Sequence, residues 1–138
     1  MSNMQNNKKN EEIFTILKTT RSLAYVPYSN FGVAACILAD NNKYYTGCNV
    51  ENAAYPLGCC AEASAISSMV LDSAKKIKEI SVLGSGNMLC TPCGGCRQRI
   101  REFATDNCII HLYTDEGYKQ SISLAELLPL SFGPANLK

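Results

Sequence analysis

The residues of this chain whose types and spacing could do chemistry are Cys60-Ala61-Glu62 and, one predicted strand later, Pro92-Cys93-Gly94-Gly95-Cys96. Cys93 and Cys96 stand at a C-x-x-C spacing, so two thiolates can take one ion from the first turn of a helix. Cys60, at the start of another predicted helix, offers a third sulfur. Both helix N-termini point unpaired N–H groups and a partial positive charge at the sulfurs. That field lowers thiol pKa and favours the thiolate that binds metal. Three soft ligands in this arrangement select zinc, Zn2+. They leave a fourth tetrahedral position for water, whose pKa falls towards 7, as in catalytic zinc sites. Glu62, two residues from a ligand, is the natural proton carrier. Successive residues on a regular helix diverge by about 100°, so Cys60 and Glu62 can share a site only if the first turn is irregular.

A closed, structural four-thiolate site is the alternative on these residues alone. Cys90 is three residues before Cys93 and fits as a fourth ligand, whereas adjacent Cys59 and Cys60 reach one ion only under strain. Of the eight cysteines, Cys36, Cys48 and Cys108 sit in apolar, strand-like stretches and read as small hydrophobes. The first ten residues lack the apolar stretch of a secretion signal, so the expected setting is the cytoplasm, where thiols stay reduced. The one histidine, His111, lies in the apolar run Cys108–Tyr113 and reads as a packing or edge residue, which disfavours a Ser-His-Asp or Cys-His catalyst. No phosphate-binding Gly-rich motif is present.

The elements that must position these groups follow from the pattern. Residues 1–10 are polar and expected to be disordered; 11–138 form a single domain. Apolar residues from Ile13 to Ala24 recur at helical spacing up to Pro27. Val33–Ala39 and Tyr44–Asn49 read as strands joined by a turn at Asp40-Asn41-Asn42, and Glu51–Gly58 as a loop. A helix starts near Cys59–Cys60, a strand covers Ile77–Gly84, and a second helix covers Cys93–Ala104 with its arginines outward. Strands at Cys108–Thr114 and Tyr118–Ile122 follow, then a short helix over Leu124–Leu128 capped by Ser123. The alternation predicts a three-layer α/β/α sandwich. With 13 basic against 12 acidic residues, the net charge of +1 offers no phosphate track, so a nucleic-acid partner is not expected. No apolar run is long enough to span a bilayer, so no membrane partner is expected.

Cys-Ala-Glu at 60–62 with Pro-Cys-Gly-Gly-Cys-Arg-Gln at 92–98 resembles the small, homotetrameric, three-cysteine cytidine deaminases. The resemblance runs from about Leu23 to Leu137. It includes Tyr28-Ser29-Asn30-Phe31, the run Gly47–Tyr55, and Leu127-Leu128-Pro129-Leu130-Ser131-Phe132-Gly133-Pro134. It implies a cytidine deaminase-like fold with a mixed five-stranded sheet, zinc as cofactor, a pyrimidine nucleoside as substrate and self-association into a homotetramer. It implies that Cys60, Cys93 and Cys96 hold the metal and that Glu62 shuttles protons. Asn49 and Glu51 would bind ribose hydroxyls, and the backbone N–H of Ala61 the 2-oxo group of the base. Phe31 would pack on the pyrimidine, with Phe132, Tyr55 and Ala53 reaching a site across subunit interfaces. The implied reaction is hydrolytic deamination of cytidine and deoxycytidine in pyrimidine salvage.

The chain departs from that family where an Arg usually follows the catalytic Glu and hydrogen-bonds the ligand thiolates; here the residue is Ala63. Three thiolates around a divalent ion sum to −1, and helix dipoles and Arg97 are the candidates to offset this. A small residue at that position also resembles the blasticidin-type deaminases, which keeps a related substrate open.

Overall fold

The computed structural model describes residues 3–138. Its elements are α1 (Asn3–Arg21), β1 (Ala34–Ala39), β2 (Tyr44–Cys48), α2 (Ala61–Leu71), β3 (Ile77–Leu83), α3 (Gly94–Phe103), β4 (Ile109–Thr114), β5 (Gly117–Ser123) and α4 (Leu124–Leu127), with 3-10 turns at Tyr55–Leu57 and Pro134–Asn136. The strands form one sheet in the order β2-β1-β3-β4-β5. Only β3 and β4 run parallel, and α3 is the crossover between them. The sheet is therefore mixed, as the resemblance implied.

The two-residue period of β1 builds both sides of the sandwich. Ala35, Ile37 and Ala39 join a core with Ala61, Ala65 and Met69 of α2, Ile100 of α3 and Leu124 of α4. Ala34 and Cys36 face the other way, onto Ile13 and Leu17 of α1. Successive side chains of a strand point to opposite faces, so a sheet covered on both sides buries every residue of such a strand. The predicted three layers are present.

The first helix is longer than its apolar pattern suggested. Residues 3–10 are helical, which corrects the expectation of a disordered segment over 1–10; Met1 and Ser2 lie outside the described residues. Apolar periodicity begins only at Ile13, whereas the earlier turns are held by polar contacts. The Tyr113 hydroxyl donates to Asn10 Oδ1 at 3.4 Å, and Lys9 Nζ lies 3.6 Å from Glu79 Oε2. His111 is one of the polar residues beneath this helix. Its ring nitrogens sit 2.6 Å from both Glu79 Oε1 and Ser121 Oγ, so it links three strands from the interior strand β4 and is not an edge residue. Ser123 caps α4 with a full capping box to Glu126.

Two local features set where the site will be. Gly47 of β2 lies directly under the first turn of α2: a Cβ there would stand 2.3 Å from Ala65 N and 2.5 Å from Ala61 O. Only glycine allows a helix backbone so close to a strand backbone. The Ser64 hydroxyl donates to Cys48 O at 3.0 Å across the same contact. Asn49, just past β2, then braces the neighbouring loop. Its Oδ1 accepts from Val33 N at 2.8 Å and its Nδ2 donates to Phe31 O at 2.9 Å.

Gly47→Ala is expected to destabilise the fold by about 1–3 kcal/mol, the cost of forcing an extra carbon into a filled space. Asn49→Ala leaves a half-buried amide and a carbonyl without partners and is expected to cost about 1–3 kcal/mol. Urea midpoints at unchanged slope measure both; a wild-type midpoint for Gly47→Ala contradicts the close packing of α2 on β2.

Candidate metal centre and substrate cavity

Cys60 and Cys93 occupy equivalent positions: each is the N-cap of its helix, α2 or α3. Their backbones are extended, at φ −78°, ψ 160° and φ −65°, ψ 169°. Neither cysteine is in a helical turn, which resolves the difficulty of bringing Cys60 and Glu62 together. Cys60 projects from the end of α2, while Glu62 is the second helical residue. Cys96 is the third helical residue of α3. The Sγ atoms of Cys60 and Cys96 lie 2.6 Å apart, and a Glu62 carboxylate oxygen joins them in a group spanning no more than 4.8 Å. Cys93 lines the same cavity, with its sulfur outside that tight group.

The three clustered groups are polarised in different directions. The hydrogen bond from Cys96 brings the Cys60 thiol down to about 6, helped by the Ala63 amide and the Arg99 charge. Cys96 is pushed up, first by that bond and then by burial. Burial also pushes the Glu62 carboxyl above the ordinary carboxylate range, since the side chain is only 4% exposed. A thiolate at neutral pH, a second thiol beside it, a third in the same cavity and two helix N-termini form a soft, anionic donor set that fits zinc.

The remaining cysteines near the site are placed differently. Cys59 turns towards Ser64 Oγ, 3.5 Å away, and the carbonyl of its neighbour Cys60. Cys90 lines the cavity, but burial raises its thiol, the opposite of the change in Cys60. Gly84 makes room for Cys90: a Cβ there would stand 2.9 Å from Cys90 Sγ and 3.3 Å from Phe31 Cζ.

The cavity holds about 390 Å3 and opens to solvent. It brings together Asn49, Glu51, Tyr55, Ala61, Glu62, Cys60, Cys93 and Cys96 of the residues singled out in the sequence. Phe31, Ala53 and Phe132 are not in its wall. Phe31 stands behind Cys90, and Ala53 is exposed on the loop before the 3-10 turn. Phe132 is 57% exposed, its carbonyl accepting from Gln98 Nε2 at 2.9 Å. The loop carrying Glu51 and Tyr55 is closed at its base by paired hydrogen bonds between Val50 and Cys59. Glu51 is fixed in turn by the Tyr28 and Ser29 amides and the Ser29 hydroxyl, which hold its carboxyl below the usual range.

Arg97 does not offset the thiolates, contrary to expectation. Its guanidinium donates to Pro92 O, Leu127 O and Thr91 Oγ1, bracing the loop that carries Cys93. The cation nearest the sulfurs is Arg99, with Nη1 4.0 Å from Cys96 Sγ. The sequence reading placed it on an outer face. Its position three residues after a ligand on the same helix was the available signal.

Residues 7–112 match the family described as the cytidine and deoxycytidylate deaminase zinc-binding region. Among similar proteins, the cytidine deaminase of Sporosarcina psychrophila is 37% identical over 127 residues, covering 92% of this chain and 93% of its own. That of Mycoplasma genitalium is 41% identical over 111 residues, covering 79% and 84%. Among solved structures, cytidine deaminase from Burkholderia pseudomallei superposes with a TM-score of 0.83 at 35% identity, covering 88% of this chain and 98% of that one. The Mycobacterium tuberculosis enzyme gives 0.74 at 31% identity, covering 87% and 97%. The helix-capping cysteines and the buried glutamate thus lie in a chain that belongs to the cytidine and deoxycytidylate deaminase zinc-binding family.

Proposed function

We propose that this protein is a zinc-dependent hydrolase that deaminates cytidine and deoxycytidine to uridine and deoxyuridine with release of ammonia. The observation that carries the reading is the Cys60–Glu62–Cys96 group: a buried carboxyl and two sulfurs within 4.8 Å of one another at the floor of an open cavity. Cys60, Cys93 and Cys96 would hold the ion, Cys93 turning its sulfur in from the rim. Bound there, zinc supplies Lewis acidity that brings water towards ionisation at neutral pH.

The chain's own groups supply the proton traffic. Glu62, its carboxyl raised by burial, accepts a proton from the attacking water and passes it to N3 of the base. After attack at C4, breaking the C4–N bond needs a second proton on the exocyclic amine; Glu62 is the group placed to take it from the hydroxyl added at C4 and hand it to the departing ammonia, leaving the 4-oxo product. The first amides of α2, Ala61 among them, have no partners within the helix and face the cavity, which suits them to the 2-oxo group. Asn49 and Glu51 line the cavity further from the sulfurs and would take the ribose hydroxyls. Their bonds to Phe31 O and to Ser29 hold them in place before a nucleoside arrives. An anionic Glu51 also disfavours a 5′-phosphate, so the substrate is the free nucleoside. Phe31 would bound the pyrimidine at the Cys90 side of the cavity.

The open mouth of the cavity and the apolar surface around it support self-association. Tyr28, Tyr55, Leu57, Leu130 and Phe132 are all at least half exposed. Large apolar side chains left this exposed are candidates for contact with another chain. A homotetramer would cover them, with Phe132, Ala53 and Tyr55 completing a neighbour's cavity. None of the helices among the described residues is long and apolar enough to cross a membrane. We place the enzyme in the cytoplasm, in pyrimidine salvage, with no nucleic-acid partner.

Glu62→Gln is expected to retain zinc and fold while kcat falls by about 10²–10⁴-fold, the range for loss of a general acid–base group. Cytidine, deoxycytidine, cytosine and blasticidin S, followed by loss of absorbance, define the substrate. Conversion of blasticidin S with cytidine inert would replace the present choice, and the small Ala63 makes that comparison worthwhile. Cys90→Ser is expected to keep its zinc; loss of metal from that variant identifies a closed four-thiolate site in place of the catalytic one.

A further inference from the structure

Arg99 is in an unusual position for an exposed arginine. It lies one helical turn beyond Cys96 in α3, and its guanidinium, although exposed, folds back towards the start of its own helix. Nη1 reaches to 4.0 Å from Cys96 Sγ, and a Cβ on Gly95 would stand 3.1 Å from it. Among the described residues no carboxylate pairs with Arg99, although Glu102 is one turn away on the same helix. Its neighbour Arg101 takes Ser131, the Ala104 carbonyl and Asp106 instead. Arg97 is fully engaged by backbone carbonyls and Thr91. Arg99 is thus the cation left to act on the sulfurs.

The partner helix makes space for it. Ala63 of α2 and Arg99 of α3 line one groove of about 420 Å3, together with Ile66, Ser67, Gln98 and Glu102. A methyl group at 63 leaves that groove open beside the ligand cluster. Three thiolates exceed the charge of a divalent ion by one, and a guanidinium that is always protonated is suited to balance the excess.

We propose that Arg99 is a positioning residue for the metal ligands, its guanidinium entering the groove beside Ala63 to neutralise the excess thiolate charge and slow the escape of the ion. This rests on the reading of Cys60, Cys93 and Cys96 as zinc ligands. Partners in the outer shell of a metal are typically worth 10–100-fold in affinity, and solvent around Arg99 places it near about tenfold.

The test is zinc release from purified holoprotein to a chromogenic chelator, with the urea midpoint of each chelator-stripped protein as the folding control. Arg99→Gln is expected to release zinc about tenfold faster than wild type at an unchanged apo midpoint, and Arg99→Lys to fall between them. Ala63→Arg added to Arg99→Gln is expected to restore slow release, because the new cation enters the same groove. Wild-type release rates in Arg99→Gln, or a double variant that stays fast, overturn the inference. A wild-type protein that neither carries nor takes up zinc overturns the metal reading itself, and this inference with it; that outcome is seen before any variant is made.

Discussion

The contact between the backbone of α2 and the backbone of β2 at Gly47 governs everything the site can do. Helices ordinarily rest on a sheet through their side chains, about 10 Å away, but here the first turn touches the strand itself. That depth seats Ala61 and Glu62 in the interior while Cys60, one residue earlier, remains at the cavity wall. Because α3 is the crossover between β3 and β4, its N-terminus lies at the same end of the sheet. Two helix ends meet at one point, each with a cysteine as its cap.

This arrangement separates the proton affinities of groups that almost touch. Glu62 is surrounded by apolar packing and holds its proton more firmly than an ordinary carboxyl, while Cys60, at the end of a helix and beside Cys96, gives its proton up. Opposed shifts in neighbouring groups are what an acid–base site requires, since one group must stay charged while the other exchanges protons. The scaffold obtains them from the burial of Glu62 and from the hydrogen bond between Cys96 and Cys60, with the Arg99 charge acting in the same direction on Cys60.

Much of this was legible in the residues. Apolar periods marked the elements that bury a regular stripe, as in β1, α2 and β3. Where a stripe was missing, the reading failed: residues 3–10 are helical without an apolar face, held by Lys9 and Asn10 through polar contacts. Cys60, Glu62 and Cys96 stood out by type and spacing, yet their convergence depended on Cys60 leaving the helix, a backbone property that spacing does not encode. Arg97 and Arg99 could not be told apart, since both lie outside the apolar stripe of α3. Which one bends towards the sulfurs is decided by the carbonyls of Pro92 and Leu127, remote in sequence or hidden in a loop. Phe31, Ala53 and Phe132 stood out by sequence context, but which residues line the cavity wall depends on how the surrounding loops fold, and these three lie outside it.

The two halves of the site flank β3 in the chain, and this has a consequence for biosynthesis. A growing polypeptide carries Cys60 and Glu62 well before α3 has been made, because β3 lies between them in the chain. Parallel pairing across such a connection is a late, non-local event. The largest influence on the Cys60 thiol in the folded chain is Cys96, and in the nascent chain that partner is not yet in place. That partner arrives only with α3, so the two sulfurs meet once both helices are in place and not before.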